Sequence, residues 1–162
     1  MSTVSLTLDE IFDLAKKTLL ANGCDDETAS ILSDLIRNAE RDGSVSHGLF
    51  RLPAYVSGLK SGKINGKGKP EVKKISPSVI KVQGNNSLAP VVLSKSLPEL
   101  SKAAKENGVA VLAINNSHHM AAMWPETEKL AEDGLVAFAC TSYKPAVAPC
   151  LLYTSPSPRD RG

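Results

Sequence analysis

Ser46, His47 and Arg51 stand close together in the stretch Ser44-Val45-Ser46-His47-Gly48-Leu49-Phe50-Arg51-Leu52-Pro53-Ala54-Tyr55. A hydroxyl can orient an imidazole, and an imidazole can move a proton near pH 7. A guanidinium four residues further on can grip a carboxylate through two parallel hydrogen bonds. Together these groups suit oxidation or reduction of a small carboxylic acid. A plainer alternative gives His47 a structural role, satisfying the end of a helix that stops at Gly43. Ser46 and His47 are sequence neighbours and do not by themselves make a nucleophile–base pair. No G-x-S-x-G elbow supports a hydrolase.

A second polar cluster is Asn115-Asn116-Ser117-His118-His119. Adjacent histidines point apart, and no H-E-x-x-H or cysteine spacing completes a metal site, so no metal is expected. A histidine at a strand end facing a cofactor is the better reading of His119. Ala121 and Ala122 would let a ligand approach the backbone closely, or serve only for packing. The dinucleotide fingerprint G-x-G-x-x-G is absent, because Gly66-Lys67-Gly68 has no strand before it.

The elements that must position these groups begin with a capping box at Thr7-Leu8-Asp9-Glu10. Ile11, Leu14, Ala15, Thr18 and Leu19 make one helical face, and Gly23 stops the helix. Acidic residues at Asp25-Asp26-Glu27 open a second helix. Its buried stripe is Ile31, Leu32, Leu35, Ile36 and Ala39, and the two helices should pack antiparallel. Ser44 to Gly48 is then a turn, and Pro53 suits the first turn of a third helix carrying Tyr55, Val56 and Leu59. Beyond a Gly-rich connection at 64–70 the pattern turns to strands. Residues 71–75 and 79–82 flank Ser76-Pro77-Ser78 as a hairpin. A helix follows over 88–107, with Pro98 restarting or kinking it.

Val109 to Ile114 is a continuous apolar run, as expected of a strand buried on both faces. A helix over 121–133 and a second buried strand over 135–140 would complete a βαβ unit. The Asn115–His119 cluster would then sit at a strand's carboxyl end, before a helix N-terminus, where open α/β sheets bind ligands. The expected fold class is α/β, a helical N-terminal region followed by a mixed sheet with a βαβ unit. The expected divisions are 1–66 (helical), 67–150 (α/β) and 151–162, a tail with two Ser-Pro pairs and no core periodicity that looks like translated vector sequence.

Bulk properties narrow the function classes. A chain of 162 residues with 42% hydrophobic and 4% aromatic residues is long enough for one domain with a real core. The net charge of +2 leaves no basic field that would suggest nucleic acid. The lysines between Lys60 and Lys74 read as a solvated loop. The N-terminus lacks the pattern of a signal peptide, and nothing approaches a membrane span. Cys24, Cys140 and Cys150 are odd in number and far apart, which points to a reducing, cytoplasmic setting.

Two stretches taken together resemble the malate/L-lactate dehydrogenase family. The first is Arg41-Asp42-Gly43-Ser44-Val45-Ser46-His47-Gly48, continuing through Arg51-Leu52-Pro53-Ala54-Tyr55 to Gly62 and Asn65. The second is Asn116-Ser117-His118-His119-Met120-Ala121-Ala122-Met123-Trp124-Pro125, followed by Gly134-Leu135-Val136 and Pro149. The resemblance covers about residues 5–150. It implies a non-Rossmann fold that binds NAD or NADP, consistent with the missing glycine fingerprint. It also implies that His47 is the proton donor or acceptor, that Ser46 orients it, and that Arg51 holds the substrate carboxylate. His119, Met120, Ala121, Ala122 and Met123 match a cofactor-contacting stretch, and in some branches the histidine at His119 is itself the acid/base. The His-His and Trp-Pro pairs look most like the branch reducing cyclic imines such as Δ1-piperideine-2-carboxylate. The substrate would be a small 2-hydroxy, 2-keto or cyclic 2-imino acid, and the intact enzyme a homodimer.

The sequence departs from the family at Thr141-Ser142-Tyr143, where many members carry a Thr-Asn-Ser-like turn. The Gly-Thr-Asn-Pro motif expected past Pro149 is also missing. The chain therefore reads as the truncated N-terminal half of such an oxidoreductase. The alternative is an inert piece or a ligand-binding remnant.

Overall fold

A computed structural model describes residues 4–118 and 121–141. Helix α1 (Leu8–Ala21) starts at the capping box. The Thr7 N–H donates to Glu10 Oε2 at 2.7 Å, and the Glu10 N–H donates to Thr7 Oγ1 at 3.2 Å. Two orphan amides of the first turn are thereby satisfied. Helix α2 (Asp26–Arg41) is capped by Asp25, whose side chain accepts from the Thr28 N–H at 2.8 Å. Ile11, Ala15 and Leu19 of α1 meet Ala29, Leu32 and Ile36 of α2 in one buried cluster. Helix α3 (Leu52–Lys60) has Pro53 in its first turn, where a missing N–H costs no hydrogen bond, and adds Leu52 and Tyr55 to that cluster.

The sheet has three strands in the order β1-β2-β3: β1 (Glu71–Ser76), β2 (Val79–Gln83) and β3 (Val111–Asn115). The first two form the expected antiparallel hairpin, with Val72 opposite Val82. The second and third run parallel, with Ile80 opposite Leu112. Helix α4 (Ala89–Asn107) makes the crossover between them and continues through Pro98 without a restart. Ile80 and Val82 of β2 pack with Val92 and Ala103 of α4 in a second buried cluster. Leu88 and Val91 tie α4 to the helical cluster as well.

Three expectations are corrected. The βαβ unit is β2-α4-β3, one step earlier in the chain than the apolar runs suggested. Residues 135–140 form no regular element and pair with no strand among the described residues, and Val136 and Phe138 stand 105% and 92% exposed. A strand requires a partner edge, and an apolar run alone does not supply one. Nor is β3 buried on both faces. Helix α4 covers one side, so Leu112 and Ile114 face the core while Val111 is 55% exposed. Finally, the last described helix, α5, covers Trp124–Glu132 instead of starting at Ala121. Pro125 suits that start, since in a helix's first turn its missing N–H leaves no hydrogen bond unmade. Ala121, Ala122 and Met123 therefore precede α5, and no described helix is long and apolar enough to cross a membrane.

Candidate active site

Helix α2 ends at a left-handed Gly43, with φ +70°, and the Ser44 N–H reaches back to the Ala39 carbonyl at 2.8 Å. Two short 3-10 turns follow, Val45–His47 and Leu49–Arg51, and lead directly into α3. In a 3-10 turn residues three apart eclipse one another. That geometry brings Ser44 over His47, so the imidazole Nδ1 lies 3.2 Å from Ser44 Oγ and 3.0 Å from Ser46 Oγ. Arg51 folds back over the same turn, its Nε donating to the Ser46 carbonyl at 2.8 Å. The three residues singled out in the sequence are therefore brought together.

Glu40 anchors this turn from α2. Its Oε1 accepts the Leu49 N–H at 2.7 Å. Gly48 packs so closely on that carboxylate that an added Cβ would overlap Glu40 Oε1 and Cδ. Glycine at position 48 therefore serves close approach, letting the Glu40 carboxylate pack on the turn, since its φ of −84° is available to any residue.

Electrostatics around the turn is dominated by surface pairs. Arg41 donates to both carboxylate oxygens of Asp42, at 2.8 and 3.2 Å. This holds the Asp42 carboxyl below its usual range and the Arg41 guanidinium above its own. Beneath Arg51, burial pushes the Tyr55 phenol up to about 12, against the opposing charge of Arg51.

From the other side of the chain comes Trp124, the first residue of α5. Its ring stands edge-to-face with the His47 imidazole, at 5.8 Å between centroids and 80° between planes. His47, Ala122 and Trp124 line a small hollow of about 40 Å³, which Asn38, Asp42 and Glu128 also border. Beyond it a larger, mainly apolar groove of about 460 Å³ runs between α2, α4 and α5. The two spaces share Leu35, Asn38, Ala122 and Pro125.

The second signature is thus partly in place. Ala122 is buried beside His47, Ala121 lines the groove, and Met123 precedes α5. His118 is tied by its backbone to the start of α4, its N–H on the Ser87 carbonyl and its carbonyl on the Ala89 N–H. His119 and Met120 lie outside the described residues.

A family model described as malate/L-lactate dehydrogenase matches residues 6–151. The chain belongs to the malate/L-lactate dehydrogenase family. Among its relatives is a Δ1-pyrroline-2-carboxylate/Δ1-piperideine-2-carboxylate reductase of Pseudomonas syringae pv. tomato. The two are 37% identical over 147 residues, which is 91% of this chain and 43% of the relative. A malate/(S)-sulfolactate dehydrogenase of Methanothermus fervidus is 34% identical over 141 residues, covering 87% of this chain and 42% of its own length. The crystal structure of the Δ1-piperideine-2-carboxylate reductase from P. syringae superposes with a TM-score of 0.78 at 38% identity, over 82% of this chain and 40% of that one. A malate dehydrogenase from Pyrococcus horikoshii superposes with a TM-score of 0.75 at 30% identity, over 81% and 38%. Dehydrogenases and reductases of this family therefore share both its sequence pattern and its fold. The chain spans less than half the length of the curated relatives it matches.

Ser44, Glu40 and Trp124 were not among the residues assigned roles from sequence. Ser44 is detectable only once the turn is known to be 3-10. Trp124 is distant in sequence and enters through the fold of the α4–α5 region.

Proposed function

We propose that this turn is the proton-transfer and carboxylate-binding wall of an NAD- or NADP-dependent oxidoreductase acting on a small 2-hydroxy, 2-keto or cyclic 2-imino acid. The observation that carries the reading is the pair of hydroxyl contacts on His47 Nδ1, with Arg51 fixed over the same turn. Ser44 and Ser46 engage one ring nitrogen. The other, Nε2, is then the atom through which His47 gives or takes the substrate proton. Arg51, with Nε used to hold the turn, offers its terminal N–H groups to the substrate carboxylate. Its charge sets which end of the acid faces the imidazole, and this positioning is the protein's share of the rate.

The nicotinamide, when bound, supplies or accepts the hydride. The mainly apolar groove lined by Ala121, Ala122 and Pro125 is the space this reading offers to the cofactor. Residues 119–123 are the stretch that would hold it, with His119 either a cofactor contact or a second acid/base. The domain division at residue 66, the homodimer and the cytoplasmic setting belong to the same proposal.

A second reading is favoured by the partial coverage of the relatives. The 162-residue chain alone is inert, or retains ligand binding without turnover. The test is oxidation of NADH or NADPH with pyruvate, oxaloacetate or Δ1-piperideine-2-carboxylate. Little or no turnover is expected from the isolated chain. Turnover by it would overturn the half-site reading and leave the oxidoreductase reading standing.

A further inference from the structure

We propose that Asn38 is a specificity-determining residue for the nicotinamide end of the cofactor, its side-chain amide pairing with the ring carboxamide where the groove meets the hollow beside His47. The inference rests on the oxidoreductase reading and names a contact within it.

Asn38 stands on the face of α2 that borders the groove. Ile31, Asp34, Leu35 and Asn38 follow one another at three- and four-residue spacing and all line it, as neighbours on one helical face do. Among the described residues, four border both the groove and the hollow: Leu35, Asn38, Ala122 and Pro125. Asn38 alone of these carries a polar side chain. A ligand that reaches from one space into the other therefore meets the Asn38 amide among apolar neighbours.

Other polar side chains lining these spaces are engaged elsewhere. Asp34 is paired with Arg37, and Asp42 with Arg41. The Ser94 hydroxyl donates to the Val91 carbonyl, Lys129 is paired with Glu132, and Asp133 accepts from the Ser101 hydroxyl. The backbone carbonyl of Asn38 accepts the Asp42 N–H at 3.0 Å at the end of α2. Its half-buried side-chain amide makes no hydrogen bond to any described residue.

The chemistry of that amide selects its partner. It is neutral and offers a carbonyl acceptor together with N–H donors. In a nicotinamide the carboxamide is carried by the ring carbon next to the one that exchanges hydride. On the oxidoreductase reading the reacting carbon must face the hollow that His47 lines, so the neighbouring carboxamide comes to the junction where Asn38 stands. A carboxamide can both give and take a hydrogen bond with Asn38. A carboxylate or a ketone on the same ring only accepts, and leaves the Asn38 carbonyl without a donor. A site that uses both groups discriminates against a ligand lacking one of them.

The test needs no turnover. In the full 162-residue chain, the ¹⁵N side-chain amide signals of Asn38 are assigned by their loss in Asn38→Leu. Nicotinamide, nicotinic acid and the methyl ketone of the same ring are then titrated in turn. Nicotinamide is expected to shift the Asn38 side-chain signals together with the Ala122 backbone amide. It is expected to bind about ten-fold more tightly than the acid or the ketone, as for one net hydrogen bond. Asn38→Leu, a substitution that suits a helix, is expected to abolish that preference.

The proposal is overturned if nicotinamide shifts Ala122 and leaves the Asn38 side chain unmoved, or if wild type binds the ketone as tightly as the amide. The ligand series in wild type stands even if Asn38→Leu fails to fold. Either result leaves the groove as cofactor space. Nicotinamide that shifts none of these signals overturns both the contact and that use of the groove. Nicotinamide held by Asn38 in a chain whose completed form transfers no hydride would refute the oxidoreductase reading and leave the contact standing.

Discussion

Replacing Glu40 with Ala removes the acceptor of the Leu49 N–H, a part-buried amide between the two 3-10 turns. A stranded amide that had been bonded to a carboxylate costs about 2 kcal/mol, within the range for hydrogen bonds to charged groups. Gly48→Ala attacks the same contact from the other side. Its methyl group would occupy the place of the Glu40 carboxylate, so the side chain must swing away and the bond is lost again. The expected cost is also about 2 kcal/mol. Because both changes break one interaction, the double variant should lose about 2 kcal/mol rather than about 4. Urea denaturation of the four proteins gives the cycle, with equal m-values required for the comparison. Glu40→Gln, which keeps a neutral acceptor, should fall between, at about 1 kcal/mol. Additive losses would refute the claim that Glu40 and Gly48 form one anchor for the turn carrying His47.

Four further outcomes are expected. Thr7→Ala, which breaks the capping box of α1, should cost about 1 kcal/mol in the same assay. Ile80→Ala at the centre of the sheet core should cost about 2–5 kcal/mol by opening a cavity against α4. Ser87 Oγ is buried and meets no hydrogen-bond partner among the described residues, so Ser87→Ala should be neutral or stabilise by up to about 1 kcal/mol. Burial, and the neighbouring charge of Asp25, push the Cys24 thiol from 9.0 to about 11. The neutral thiol is then favoured in the folded chain and the unfolded chain ionises first. Stability should therefore decline as pH rises from about 9 to 11, and Cys24→Ala should flatten that part of the pH profile.

What was legible in the sequence was mostly local. The Thr7–Glu10 capping box, the acidic start of α2 at Asp25–Glu27 and Pro53 in the first turn of α3 are set by residues a few positions apart, and each is found as read. The hairpin at Ser76-Pro77-Ser78 was legible for the same reason. Pairing partners were not. Residues 79–83 and 135–140 are both short runs rich in apolar side chains, and only the long-range choice of neighbour makes the first the central strand, while the second pairs with no strand among the described residues. The run from Val109 to Ile114 likewise gives no sign of whether one face or both will be covered. At the candidate site, the cluster of Ser46, His47 and Arg51 was visible because it is contiguous. Ser44 was hidden by a turn type that sequence spacing does not specify. Trp124 and Glu40 were hidden because they reach the turn from other elements.

The most direct test of the central claim uses a chimera in which residues 6–141 replace the matching segment of the longer P. syringae reductase relative. NAD(P)H-dependent reduction of Δ1-piperideine-2-carboxylate is then followed with and without changes in the turn. The account predicts turnover by the chimera and a fall in kcat of about 10²–10⁴ in His47→Asn, as expected for loss of a general acid. It predicts that Arg51→Lys raises KM through loss of the planar two-pronged grip. A chimera that turns over equally well with Asn at position 47 would contradict it.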